Sequence, residues 1–242
     1  MLLAESDTFY VIPDQFGVVD GHVLVLPKAP SRSIASVDGS ADVELTWLIS
    51  HVSDLMRTAY AAPVVVAEHG GCGCASAGQA HLHIIPAPPM ISQTQLCFVI
   101  DTVLRRRLVG IERIVYRGVE FSALEDLTAL VDVDDAHVIG RQLLTRDLVG
   151  PCEYPADARR DAGLTDHYVY FSAPGVQFLS SAHFRSQFVR EVVGLAVGLP
   201  GRSWDRWVND SRRNMFLTFE RLAPAFAATP ERAFGFAPRV GS

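Results

Sequence analysis

Eight residues, Gln79-Ala80-His81-Leu82-His83-Ile84-Ile85-Pro86, constrain the fold of this chain more than any other stretch. On an extended backbone, side chains two apart point the same way. Gln79, His81 and His83 therefore line one face, and Ala80, Leu82 and Ile84 line the other. Such alternation predicts a half-buried strand, with an apolar face on a core and a face that carries two imidazoles. A stretch rich in glycine and small residues, from Gly70 to Gly78, leads into it.

The residues before it supply partners for that strand. Phe9-Tyr10-Val11-Ile12 reads as a strand ended by Pro13-Asp14, and His22 to Pro27 as a second one, stopped by its proline. From about residue 42 to residue 59, Val43, Leu45, Trp47, Leu48, Val52, Leu55 and Met56 recur with helical period and predict one apolar stripe for a sheet to cover. Pro63 to Ala67 reads as a buried strand that hands the chain to Glu68-His69-Gly70-Gly71 at the start of the loop. Beyond Pro89 the pattern predicts a helix over 92–108, strand over 109–121, a short helix from Ala123 to Leu130 and an acidic turn at Asp132-Val133-Asp134-Asp135. His167 to Phe171 reads as a strand, and Ala182 to Gly198 as an amphipathic helix. Trp204 and Trp207 precede a last helix near 213–222, with a poorly ordered tail from Pro224.

With 242 residues, 49% of them hydrophobic, the chain can bury a sizeable core. The formal net charge of -6 opposes binding to nucleic-acid backbones, and Arg105-Arg106-Arg107 is read as a solvated helix end. No apolar run reaches membrane-spanning length, and the first residues lack a signal peptide's pattern, so a soluble, cytoplasmic protein without a membrane partner is expected. Four cysteines are too few for a disulfide framework. Cys72 and Cys74, near His69, His81 and His83, have only one residue between them, which argues against a zinc cluster.

A neutral histidine aimed at phosphorus can displace a leaving group and form a nucleotidyl-imidazole, splitting one hard displacement into two. His81, central among the three aligned positions, suits that role, and His83 can donate to a phosphoryl oxygen or to the leaving group. Amides of Gly70 to Gly73 and of Ser76 to Gly78 are natural further donors to an anion. Spacing alone also allows two ordinary strand histidines, and a His-x-His pair suits a metal. His22 reads as a core histidine packed beneath the loop, Asp14 as either a ligand group or a turn carboxylate, and Lys28 as a solvated strand end.

Over roughly residues 5–100 the chain resembles the histidine triad (HIT) family of nucleotide hydrolases and transferases. Val18-Val19-Asp20-Gly21-His22-Val23-Leu24-Val25-Leu26-Pro27-Lys28 is similar to its Pro-Gly-His-x-Leu-Val-x-Pro-Lys strand, and Gln79 to Pro86 to its His-x-His-x-His strand. The resemblance implies an α+β fold with an antiparallel sheet, packed helices and attack by His81 on the α-phosphorus of a nucleoside phosphate. Asp14 stands where the family holds ribose hydroxyls. Glu68 and His69 stand where a strand meets the phosphate loop, Ser76 falls on the loop's phosphate side, and His83 matches the third histidine. Gln79 replaces the first histidine with a group that cannot carry a proton at neutral pH. Glutamine serves if that position orients His81, whereas hydrolysis slows if the position tunes acid-base chemistry.

Glu68-His69-Gly70, Tyr168 to Phe171, Ser186 to Arg190 and Leu199-Pro200 before Trp204 resemble a bacterial branch of the family with an additional C-terminal region. The division implied is a HIT-like nucleotide-binding catalytic domain over 1–108, extended by a C-terminal α/β region over 109–242 that packs on or completes the site. Gln187 and Arg190, three apart on one helix, could reach a common phosphate, or could be the polar side of a packed helix. The expected partner is a nucleotide or nucleotidyl conjugate, with no nucleic acid, no cofactor and no metal, and a homodimer is allowed. Two alternatives stay open: a nucleotide-binding protein with a degenerate triad, and a metal-dependent hydrolase using His69, His81 and His83.

Overall fold

The computed structural model describes residues 1–71, 79–87, 113–116, 119–121, 168–173, 176–180, 189–190, 193–194 and 204–229. The fold is α+β. Its strands are β1 (Ala4–Glu5), β2 (Phe9–Pro13), β3 (Val23–Pro27), β4 (Val64–Gly70), β5 (Leu82–Pro86), β6 (Arg113–Tyr116), β7 (Val119–Phe121), β8 (Tyr168–Ala173) and β9 (Val176–Ser180). Among the described residues these form one sheet in the order β1-β2-β3-β5-β4-β8-β9-β6-β7, with antiparallel neighbours throughout. Helix α1 (Asp42–Tyr60) joins β3 to β4, and α2 (Trp204–Ala227) follows the sheet.

Register divides the sheet into two unlike faces. Val23 pairs with Ile84, Val25 with Leu82, Val66 with Ile84, and Glu68 with both Leu82 and Tyr170, so these side chains share one face. Phe9, Val11, Val23, Val25, Val64, Val66, Leu82, Ile84, Tyr168 and Tyr170 make a single core there with Leu45, Leu48, Ile49, Val52 and Met56 of α1. Leu24 pairs with His83 and His83 with Ala67, which sends both histidines of the motif to the opposite face.

Helix α1 follows a 3-10 turn, Gly39–Ala41, that Asp38 caps by accepting from Ser40 N, and it carries Asp42 and Glu44 in its first turn, where the helix dipole favours anions. Glu44 is buried and accepts from Thr8 N (2.8 Å) and Thr8 Oγ1 (2.6 Å), pinning the helix to the chain before β2. The helix ends at Ala61 in the left-handed conformation (φ 49°).

Three expectations change. Glu68-His69-Gly70 is strand, not loop, because β8 supplies a second partner to β4: Glu68 faces Tyr170, His69 faces Val169 and Gly70 faces Tyr168. The last helix is longer than its local pattern, beginning at Trp204 and including Trp207. It also runs through Pro224 into the expected tail. An interior proline costs a helix about 3 kcal/mol, but Leu222 and Phe226 on either side are buried in the core, and burial of each such side chain contributes about 1.5–3 kcal/mol. The expected strand over 109–121 is the antiparallel pair β6 and β7. Residues 189–190 and 193–194 are helical, within the helix expected from Ala182 to Gly198. The helices expected over 92–108 and 123–130, the acidic turn and the boundary at residue 108 lie outside the described residues.

Candidate functional site

Strand β5 delivers His83, and the extended residues just before it deliver His81; the two rings meet edge to face with centroids 4.8 Å apart. His22, the residue before β3, brings a third ring to within 5.1 Å of His83. Backbone groups at the two ends of this row decide where its protons sit. The Val18 N–H donates to His22 Nδ1 (3.1 Å), so a neutral His22 carries its proton on Nε2. That nitrogen lies 2.9 Å from His83 Nδ1, which accepts and leaves the His83 proton on Nε2. At the other end the Gln79 carbonyl can only accept, so His81 Nδ1, 3.1 Å away, donates to it. His81 Nε2 therefore keeps its lone pair.

Electrostatics hold the row neutral. Burial depresses the pKa of all three rings: His22 falls to about 4, His81 is lowered despite the opposing Gln79 carbonyl, and His83 goes well below the ordinary histidine value, pushed further by His81, Arg190, His22 and His69. Beside them Asp14 is 1% exposed. Its Oδ1 accepts from Phe16 N (2.9 Å), and its Oδ2 accepts from Arg190 Nη2 (2.6 Å) and Nε (3.1 Å) and lies 3.3 Å from His22 Nε2. Burial alone would raise the Asp14 carboxyl, but His22, Arg190 and the Phe16 amide together bring it below its usual value.

The other expected residues fall into four groups. Among the described residues the Gln79 side chain makes no hydrogen bond to the His81 ring. Its amide Nε2 donates to the Pro27 carbonyl, bracing the approach to β5 against the end of β3, while its backbone carbonyl orients His81. Glu68 is buried on the core face. Its Oε1 accepts from Ile34 N (2.7 Å) and its Oε2 from the Tyr168 hydroxyl (2.5 Å), so its carboxylate ties β4 to β8 and to the short 3-10 turn Ile34–Ser36. His69 is on the histidine face, two residues from Ala67, the neighbour of His83. Ser76 and Gln187, with Cys72 and Cys74, lie outside the described residues.

Two amides expected to face a phosphate have other positions. Gly70 is a strand residue, and a Cβ on it would stand 2.4 Å from Tyr168 Cε1. The absent side chain makes room for the ring whose hydroxyl reaches Glu68. The Gly71 N–H donates to the Arg32 carbonyl (3.0 Å).

Sequence alone places His22 in the core. It is indeed buried, yet it also belongs to the histidine row, because Leu24 pairs with His83 and places His22 on that side of the sheet. Its even spacing from Leu24 and Leu26 was the available signal, but it gains meaning only once β3 and β5 are known neighbours. The turn that carries it is held by α2: Gly21, at φ 94°, donates to Thr218 Oγ1 (2.7 Å), and Asn214 Nδ2 donates to the Gly17 carbonyl (3.2 Å).

Asp14 Oδ2, His22 Nε2 and His83 Nδ1 lie within 4.8 Å of one another, a spacing open to a metal ion. The hydrogen bonds argue against that use. His22 Nε2 bears a proton as long as Val18 N–H occupies Nδ1, and the Arg190 guanidinium sits on the carboxylate oxygen that a cation would need. Proton placement, not metal ligation, is the chemistry this arrangement supports.

A family model described as HIT domain matches residues 1–90. Among solved structures, one similar chain is described as a Hit-like protein involved in cell-cycle regulation from Bartonella henselae with unknown ligand. It is 22% identical, covers 38% of this chain and 72% of that chain, and has a TM-score of 0.34. No curated protein matches the chain. The β5 strand with His83, the approach to it with His81, the turn bearing Asp14 and His22, and helix α1 all fall inside the matched residues, and over these residues the chain matches the HIT domain.

Proposed function

We propose that this protein is a nucleotide hydrolase or nucleotidyltransferase that works through a covalent nucleotidyl-His81 intermediate. In the first step the His81 Nε2 lone pair attacks the α-phosphorus of a nucleoside phosphate or dinucleoside polyphosphate. The N–P bond forms as the bond to the leaving oxygen breaks, and His83 Nε2–H donates to a phosphoryl or leaving oxygen. In the second step water or another hydroxyl acceptor attacks the same phosphorus, the N–P bond breaks as its electron pair returns to His81 Nε2, the acceptor's proton passes to solvent water, and His81 is released neutral. The observation that carries this reading is the His81 Nδ1–H bond to the Gln79 carbonyl, which leaves Nε2 unprotonated. Nucleotide binding is the coarser part of the proposal, and Asp14, Glu68, His69, Ser76, Gln187 and Arg190 are its candidate residues. Of these, Asp14 and Glu68 contribute by bracing the pocket, given the partners their carboxylates already have.

The second reading is a nucleotide-binding protein without turnover, favoured by one observation: the Gln79 amide is spent on the Pro27 carbonyl and cannot titrate. Hydrolysis of a nucleotide made chiral at its α-phosphorus, run in isotopically labelled water, separates the alternatives. Two successive in-line displacements give retention of configuration. Inversion would mean direct attack by water and would overturn the covalent route, while binding without product would establish the second reading.

A further inference from the structure

One proton decides what the His22–His83 pair can do. With Val18 N–H on its Nδ1, His22 has a single proton on Nε2, and two acceptors compete for it: His83 Nδ1 at 2.9 Å and Asp14 Oδ2 at 3.3 Å. A bare carboxylate would win, since hydrogen bonds to an ionised group are roughly twice as strong as neutral ones. A buried, unpaired anion would also draw a second proton onto the imidazole beside it. Both outcomes are damaging. A doubly protonated His22 points an N–H at the Val18 N–H, and two donors cannot share that contact. A His22 turned toward Asp14 leaves His83 Nδ1 without its donor, so that His83 can carry its proton on Nδ1 and lose the Nε2–H.

Arg190 removes this competition. Its Nη2 and Nε both donate to Asp14 Oδ2, the same oxygen that His22 would otherwise seek, and both partners are buried. We propose that Arg190 is a positioning residue: by neutralising Asp14 it keeps His22 neutral and directed at His83, which in turn fixes His83 as a donor beside His81. The other titratable groups acting on this row are His81 from the approach to β5 and His69 and Glu68 from β4. None of them contacts Asp14 Oδ2 as Arg190 does among the described residues. A residue of the C-terminal region thus sets proton positions inside the N-terminal site, a role different from the phosphate fork that its helical spacing with Gln187 suggests. The catalytic consequence rests on the assignment of His81 and His83 made above, whereas the effect on the His22 proton stands on geometry alone.

Nitrogen-15 spectra of the histidine side chains test the proton placement without reference to turnover, in the full-length wild type and in Arg190→Ala, Arg190→Lys and the double variant Arg190→Ala/Asp14→Asn. The wild type and Arg190→Lys are expected to keep His22 as the Nε2–H tautomer from about pH 5 to about pH 8. Arg190→Ala is expected to shift His22 titration upward and to lose the His83 Nε2–H signal, and the double variant to restore both. Turnover with the nucleotide that the wild type uses should follow, the double variant exceeding Arg190→Ala by about tenfold, a coupling expected of residues in one network. Where Arg190→Ala does not fold, the double variant and Arg190→Lys decide the matter, since both should show the wild-type tautomers. An unchanged His22 in folded Arg190→Ala would overturn the proposal, as would altered tautomers in both Arg190→Lys and the double variant. Loss of nucleotide affinity in Arg190→Ala that Asp14→Asn does not relieve would also overturn it, and would mean that Arg190 acts on the phosphate.

Discussion

At the scale of single residues, hydrogen bonds assign the protons of the histidine row to particular nitrogens. The Gln79 carbonyl and the Val18 amide are main-chain groups, so the two ends of the histidine row are set by backbone conformation. At the Gln79 end that conformation has a side-chain brace, the Gln79 amide on the Pro27 carbonyl. Gln79→Ala removes it and is expected to lower turnover about tenfold, in line with the loss of roughly one positioning hydrogen bond. Gln79→Glu, which sets a carboxylate against a carbonyl oxygen, should lose more, and Gln79→His should retain activity because an imidazole N–H can make the same bond. Steady-state kinetics of the three variants checks the order. The neutral rings also make stability depend on pH. His22, His81 and His83 all have folded pKa values below the unfolded value of about 6.5. Their contribution is complete above that pH, and it is lost as pH falls, because the unfolded chain binds protons that the folded one refuses; for His22 the loss continues down to about pH 4. Urea denaturation should show stability falling between pH 7 and pH 5, by up to about 1.4 kcal/mol per pH unit for each histidine. Flat stability over that interval would contradict the buried, neutral assignment. His81 and His83 could be found from their period-two spacing, since alternation is local. His22 could not be joined to them, because its neighbour in space is 61 positions away.

Among the elements, β4 carries the larger share of the organisation. Its near half pairs with β5, and its far half, Glu68 to Gly70, is aligned with β8. The Glu68 carboxylate then connects β4, the Ile34–Ser36 turn and β8 in one buried set of bonds. Glu68→Ala leaves the Ile34 N–H and the Tyr168 hydroxyl without this acceptor, and at about 1–3 kcal/mol for each buried orphaned group it should destabilise the protein by at least about 2 kcal/mol. Gly70→Ala forces a methyl against the Tyr168 ring and should cost about 1–3 kcal/mol. Chemical denaturation measures both, and wild-type stability in either variant would argue against this joint. The sequence showed β4 as an apolar run, which ends at Ala67 because its next residues are polar. The extension into Glu68-His69-Gly70 was hidden, since it depends on a partner strand about 100 residues later. The same holds for α2, whose proline and modest local pattern gave no hint that Leu222 and Phe226 pack into the core.

For the whole molecule, the match to the HIT domain covers residues 1–90, but the core does not stop there. Tyr168, Tyr170, Leu222 and Phe226 are part of the same buried cluster as α1 and the first five strands. At about 1.5–3 kcal/mol each, their burial is comparable to the entire 5–15 kcal/mol stability of an ordinary domain. A chain ending at residue 108 is therefore expected to lack cooperative unfolding, as read by circular dichroism against temperature, and a sharp transition near that of the full chain would contradict the shared core. Strands β2 to β5 and helix α1 were legible from their periods in the first ninety residues, and their antiparallel α+β arrangement only from the family resemblance. What the later residues contribute was not, because it consists of long-range pairing and of the Asp14–Arg190 contact, which joins positions 176 apart. Among the described residues no helix is long and apolar enough to cross a membrane.

The central claim is that His81 becomes covalently nucleotidylated. Intact-protein mass after rapid denaturing quench, with a panel of adenine, guanine and uridine nucleotides and their dinucleoside or sugar conjugates, tests it most directly. The expected result is an added nucleoside monophosphate on the wild-type chain, mapped to His81, and no adduct or turnover in a folded His81→Asn variant. Turnover that persists in that variant, or an adduct on another residue, would contradict the account.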